Sequence, residues 1–214
     1  MLDIKNKNIK IYKSIINTNM LKDVYDINWY FMYYIILMLG KYIKKIQVNK
    51  GELNIYLYNS EDIEKILYFL KYNINCQFKF LMDICGIDNL EKYENRFEIS
   101  YNLLSIRYII RVHVKLHINE FVPVHSVMKI FKSANWYERE IWDMYGIFFK
   151  NHKDLRRILT DYGFEGFPLR KDFPQTGYIE LRYNNNYKHL IYEPIELSQD
   201  FRSFDFLSPW SQIK

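Results

Sequence analysis

The sequence predicts an α+β fold: a two-layer domain with a small mixed sheet packed by helices, followed by an extended, loop-rich C-terminal arm. Three observations carry that expectation. Short segments in which apolar residues alternate lie close to one another along the chain, and stretches with a helical apolar stripe flank them. Beyond Phe149 the texture changes, because Gly163, Gly166, Pro168, Pro174, Gly177, Pro194 and Pro209 interrupt aromatic and charged stretches. The divisions that follow are a helical lead-in over residues 1–44, a core domain over 45–149 and an arm over 150–214.

From Val24 to about Ile43 the pattern is compatible with a helix. Its most apolar run, WYFMYYIILML (29–39), is about half of what a membrane-spanning helix needs and is bounded by Asp26 and Lys41, so it reads as a core helix. KKIQVNKGELNIYLY (44–58) reads as two short strands around a turn at Asn49, Lys50 and Gly51, with Leu53, Ile55 and Leu57 on one face. Asn59 and Ser60 before Glu61 and Asp62 mark a helix start, and Ile63, Ile66, Leu67 and Leu70 then form one apolar stripe. QFKFLMDICGID (77–88) is a strand, or a helix running into one. Phe97, Ile99, Tyr101 and Leu103, then Ile110, Val112, Val114 and Leu116, alternate as two half-buried strands of a hairpin. His113 and His117 fall on that second strand, roughly 13 Å apart and too far to hold one metal ion. With Arg111 and Lys115 they read as a basic solvent face.

A last helix is expected over residues 136–145. Asn135 can cap it, Glu138 stands at the reciprocal capping position, and Gly146 is placed to end it. A 100° wheel gathers Tyr137, Ile141, Met144 and Tyr145 on an apolar face and Trp136, Arg139, Glu140 and Asp143 on another, with Arg139 and Asp143 as an i,i+4 pair. Glu140, Asp143 and His152 could form a catalytic cluster. No nucleophile motif, phosphate loop or metal triad accompanies them, so an interface or structural pairing is the preferred reading. The tail residues Phe201, Phe204, Phe206, Leu207 and Trp210 follow no regular period and call for a covering surface, preferably a partner.

Composition narrows the function. With 49% hydrophobic and 26% charged residues the 214-residue chain reads as globular, and a net charge of +5 with interspersed acids gives no indication of nucleic acid binding. Twenty Tyr and fifteen Phe against one alanine, Ala134, suit an organellar or otherwise AT-rich genome. Against that bias, all nine arginines fall between Arg96 and Arg202, which assigns guanidinium-specific work to the second half. Cys76 and Cys85 are too few to hold an iron-sulfur cluster and read as free, buried thiols in a reducing compartment. The N-terminal residues resemble neither a transit peptide nor a signal peptide, so a chain that works in a mitochondrion would be expected to be made there.

SANWYEREIWDMYGIFFKNHKDLRRILTDYGFEGFPLRKDFP (133–174) closely resembles the NuoC-type, or thirty-kilodalton, subunit family of respiratory complex I, the proton-pumping NADH:ubiquinone oxidoreductase. The signature runs through Glu138, Arg139, Glu140, Asp143, Gly146, His152, Arg156, Arg157 and Ile158, with further matches at 81–88, 96–105, 177–183 and 193–210. Phe167 stands where many relatives have histidine.

The resemblance implies a core structural subunit of the peripheral arm with no catalytic residues. It implies no bound cofactor or metal, while the whole complex uses NADH, FMN, iron-sulfur clusters and ubiquinone. The implied partners are the quinone-cavity subunit and its cluster-bearing neighbour, on the matrix side of the mitochondrial inner membrane. Trp136, Arg170, Lys171, Asp172, Phe201, Phe204, Phe206 and Trp210 are the residues expected to face them. Arg156 and Arg157, with Asp154 and Asp161, suit charged pairing within such an assembly. The alternatives are the equivalent subunit of a ferredoxin- or hydrogenase-linked relative, a stand-alone hydrolase, or an RNA-binding protein.

Overall fold

The computed structural model describes residues 28–49, 51–90, 95–199 and 202. They fall into two compact units, one ending at Asp172 and one beginning at Phe173.

The first unit opens with helix α1 (Asn28–Leu39), followed by strands β1 (Ile43–Asn49) and β2 (Glu52–Leu57). The turn between the strands has Gly51 at φ 81°, the left-handed conformation that glycine adopts without a Cβ clash. Helix α1 buries Phe31, Met32, Ile35, Ile36 and Leu39. It stops at Leu39, four residues short of the expected Ile43, because the Gly40 amide closes the last turn on the Ile36 carbonyl and Ile43 already belongs to β1. A Cβ at position 40 would stand 2.5 Å from that carbonyl oxygen. The expected start at Val24 lies outside the described residues.

A 3-10 turn over Ser60–Asp62 leads into helix α2 (Ile63–Tyr72). Asn59 precedes it in extended backbone and makes no side-chain cap. Ile63, Ile66, Leu67 and Leu70, the four residues of the sequence stripe, are fully buried. Strands β3 (Phe80–Asp88), β4 (Phe97–Ser105) and β5 (Ile110–Ile118) complete a five-stranded sheet in the order β1-β2-β5-β4-β3. The expected hairpins β1/β2 and β4/β5 are both antiparallel, whereas β2 pairs with β5 in parallel, Leu53 opposite Val112. That one parallel contact makes the sheet mixed and sets β5 in its middle.

His113 and His117 lie on β5 as a strand reading requires, but their surroundings are not a bare basic surface. His113 Nε2 lies 2.7 Å from Glu52 and its Nδ1 2.6 Å from Asn102, while His117 stacks on Tyr56 with ring centroids 5.8 Å apart. Facing the basic strand are acidic and aromatic neighbours on β2 and β4, which period-two reasoning on one strand cannot see.

Helix α3 (Ala134–Tyr145) is held near the sheet's outer strand β3: the Tyr137 hydroxyl donates to the Met82 carbonyl, and a Cβ at Gly86 would meet the Tyr145 ring at 2.8 Å. On either side of this helix, β6 (Val124–His125) and β7 (Phe149–Lys150) pair in parallel. Residues 151–172 then run as an irregular loop within the same compact unit.

In the second unit β8 (Ile179–Asn184) and β9 (His189–Pro194) form an antiparallel hairpin closed by an Arg182 to Glu193 bidentate pair. The structure thus adds a hairpin within the expected loop-rich arm, and the alternation of Ile179, Leu181 and Tyr183 is the sequence signal for its first strand. Phe201, Phe204, Phe206, Leu207 and Trp210 lie outside the described residues.

Candidate functional site

Helix α3 carries the densest cluster of signature residues, and its polar side chains do not sit where a helix wheel places them. Ser133, not Asn135, occupies the N-cap, and it makes no side-chain cap. Glu138 does not reach back to the helix start. Its carboxylate accepts from Ser126 Oγ at 2.6 Å and from the Val127 amide at 2.7 Å, and it is fully buried. A capping box needs the carboxylate at the helix end, and here the Ser126–Val127 segment supplies competing donors. Gly146 ends the helix in the left-handed conformation as expected, at φ 75°.

Asp143 is also fully buried and organises the following loop. Its Oδ2 accepts from the amides of Ile158, Leu159 and Thr160 at 3.2, 2.7 and 2.9 Å, and its Oδ1 from Thr160 Oγ1 at 2.7 Å and Arg157 at 3.4 Å. Burial opposes the charge, but the Thr160, Leu159 and Ile158 donors outweigh it and hold the carboxyl below its ordinary range. Arg139, the expected i,i+4 partner of Asp143, instead donates to the carbonyls of Arg156 and Arg157 at 3.1 and 3.5 Å. A tertiary loop rich in unpaired backbone groups thus displaces a local ion pair on the helix. Arg157 adds a bond to the Gly166 carbonyl at 2.9 Å.

The far end of the loop is held as firmly. Arg170 donates to the Tyr145 carbonyl at 2.6 Å, pairs with Glu120, and lies between the rings of Phe97 and Phe167 with centroid distances of 5.3 and 4.5 Å. The Lys171 amide donates to Asp88 Oδ2 at 2.9 Å. Arg96 grips Asp88 through two bonds of 2.9 Å and reaches Asp172 at 2.9 Å. The Arg96 bond, more than the Lys171 amide, keeps the Asp88 carboxyl below its usual range despite burial. Arg96, Asp88 and Glu120 are not singled out by the sequence as site residues. The position of Arg96 as the first arginine of the chain is the available signal. Replacing Arg96 by Lys is expected to cost about 2 kcal/mol in chemical denaturation, because an ammonium cannot make the paired bonds to Asp88 and still reach Asp172.

The catalytic cluster considered from the sequence is not assembled. Glu140 is exposed, Asp143 is committed to the loop, and His152 lies against Glu138 with Nε2 3.7 Å from Oε2. Among the described residues no group of His, Cys, Asp and Glu is arranged to hold a metal ion. Trp136 is exposed on α3 with the Arg139 guanidinium 5.2 Å from its ring, and Asp154 pairs with Arg156 in a surface contact.

The site is therefore a loop tied by buried charges to one helix and one sheet edge. The same segments carry a match, over residues 56–179, to the family described as the respiratory-chain NADH dehydrogenase 30 Kd subunit. The chain belongs to this family. Among its thirty-kilodalton relatives is the NADH-ubiquinone oxidoreductase subunit 9 of Reclinomonas americana, 52% identical over 84% of this chain and 87% of the relative. A bacterial relative, an NADH-quinone oxidoreductase subunit of Paramagnetospirillum magneticum, is 51% identical over 80% of this chain and 90% of its own. A chain of an archaeal respiratory membrane complex, the membrane-bound sulfane sulfur reductase, shares the fold with a TM-score of 0.59 at 22% identity, over 69% of this chain and 85% of that one.

Proposed function

We propose that this chain is a core structural subunit of the peripheral arm of NADH:ubiquinone oxidoreductase, without redox centres or catalytic residues of its own. It would dock beside the subunit forming the quinone cavity and that subunit's cluster-bearing neighbour, on the matrix side of the mitochondrial inner membrane. Among the described residues no helix is long and apolar enough to cross a membrane. The names of the quinone-linked relatives favour this assignment over a ferredoxin- or hydrogenase-linked complex.

One observation carries the docking part of the reading. The 151–172 loop is fixed from within by Asp143, Arg139 and Arg170, yet it turns Leu159, Tyr162 and Leu169 outward, with Tyr162 fully exposed. Large apolar side chains on a rigid, preorganised loop lose little entropy on binding, which is the character of an interface anchor. Arg170, Lys171 and Asp172, expected to face partners, have intramolecular contacts here that shape the loop's underside. Trp136 on α3 remains an outward-facing candidate.

The test is a native gel of gently solubilised membranes from cells expressing Tyr162→Glu or Leu159→Glu. The variant chains are expected to fold but to drop out of the large NADH-oxidising band, at least tenfold relative to the unsubstituted chain. Unchanged incorporation of both variants would sink the docking surface. An unsubstituted chain running only as a small free species would sink the assembly itself.

A further inference from the structure

Helix α1 has two apolar faces, and the described residues cover only one of them. No charged residue stands between Asn28 and Gly40, so the helix is apolar around its whole circumference, a pattern that belongs to a helix enclosed on every side. On a 100° wheel the buried Phe31, Met32, Ile35, Ile36 and Leu39 fill one arc and enter the core. The opposite arc carries Tyr30, Tyr33, Leu37 and Met38, with Tyr30 83% exposed and the other three half exposed. At its margin Tyr34 stacks on Phe69 of α2, ring centroids 6.5 Å apart, and donates to Asn73 Oδ1 at 3.1 Å. The patch thus continues toward the exposed ring pair of Tyr68 and Tyr72 on α2. Contiguous apolar surface of this kind calls for a cover.

The chain itself holds a segment of the right length and composition. Residues 1–27, outside the described residues, lead directly into α1, and nearly half of them are apolar with no glycine or proline among them. Ile9, Tyr12, Ile16 and Met20 recur at steps of four and three residues, the spacing of one apolar stripe. They span twelve positions, as many as α1 has. The residues from Leu21 onward leave enough chain to reverse direction before Asn28, since connections of two to eight residues suffice between antiparallel neighbours. Covalent attachment gives such a segment an effective concentration in the millimolar range at the face beside it, so a weak apolar contact is enough to close it.

We propose that residues 9–20 of this chain are a strap that lies along the outward face of α1, setting Ile9, Tyr12, Ile16 and Met20 against Tyr30, Tyr33, Leu37 and Met38. The strap gives α1 the second apolar neighbour that its charge-free sequence requires. It also takes the apolar face of α1 out of the surface open to other proteins, while the exposed Leu159, Tyr162 and Leu169 stay available. Because it closes within one chain, the strap does not rest on the proposed function.

The experiment is NMR on the free full chain with isotope-labelled isoleucine methyl groups, paired with amide exchange. The natural chain should show nuclear Overhauser contacts from the Ile9 or Ile16 methyl to the Tyr30 or Tyr33 ring, unchanged on about tenfold dilution. Amide exchange at Tyr33 and Met38 should quicken about tenfold in Ile16→Glu and equally in Leu37→Glu, and no further when the two are combined, because each removes the same contact. Val112 and Val114 on β5 should keep their protection in all three variants, which shows that the sheet is folded. Level exchange in Ile16→Glu, with no methyl-to-ring contact in the natural chain, overturns the strap. Contacts that fade on dilution assign the face to a second copy, and protection that arises only in the assembled complex assigns it to a partner subunit. Either result also overturns the proposal.

Discussion

Asp143→Ala is expected to lower the thermal midpoint by roughly 10 °C, from a loss of about 3 kcal/mol at 2–4 °C per kcal/mol for a chain of this size. The size of the effect follows from what the substitution strands. Three backbone amides, the Thr160 hydroxyl and the Arg157 guanidinium all end on this carboxylate. Asn at the same position keeps one oxygen and turns an NH2 toward donors, so it should recover less than half of the loss. The effect should also depend on pH in a defined direction. A carboxyl held below its ordinary value contributes stability that is fully present above the unfolded value of 3.8 and fades as pH falls through the folded one. The gap between the natural chain and Asp143→Ala therefore narrows in acid. Thermal melts at about pH 7 and about pH 3 check this, and an equal gap at both would show that the carboxylate's charge is not what holds the loop.

Gly146→Ala is expected to cost about 3 kcal/mol, while Gly163→Ala costs about 1. Both glycines have positive φ, 75° and 72°, so both substitutions bear the same backbone strain. The difference lies in the space each Cβ enters. At Gly146 it would stand 2.6 Å from the Phe167 ring and 2.7 Å from the Arg170 guanidinium, whereas at Gly163 nothing lies within 4 Å. Moving Phe167 also disturbs the stacking that holds Arg170 at 4.5 Å. Urea unfolding of the two variants side by side separates strain from collision, and equal losses would remove the argument for a tight joint at the end of α3.

The two substitutions show which parts of the molecule could be read from the chain. Gly146 announced itself, because a helix end needs a left-handed residue and glycine adopts that conformation without a Cβ clash. The stripe from Ile63 to Leu70 and the alternation on β5 were equally legible, since burial repeats with the period of the element, whereas on β4 the apolar alternation hides that Glu98 and Ser100 are buried as well. The roles of Glu138, Arg139 and Asp143 were not. Spacing placed Glu138 where a capping box would and Arg139 where it could pair with Asp143, and both are sound local choices. What overrode them lies elsewhere in the chain: Ser126 on one side and the amides of residues 158–160 on the other. Those donors belong to irregular backbone with no period to read. The parallel pairing of β2 with β5 was hidden for a related reason, as nothing in either strand names a distant neighbour.

That pairing governs how the chain must acquire its structure. The central strand of the sheet, β5, is the last of the five to emerge during synthesis, and it enters between β2 and β4. Until Val112 and Val114 arrive opposite Leu53 and Ile55, the β2 edge of the β1/β2 hairpin is unpaired. Long-range parallel closure of this kind is slow, and the exposed edge invites pairing with other chains while it lasts. The nascent first half, with its β2 edge open, is thus the stage at which this chain is most exposed to pairing with other chains.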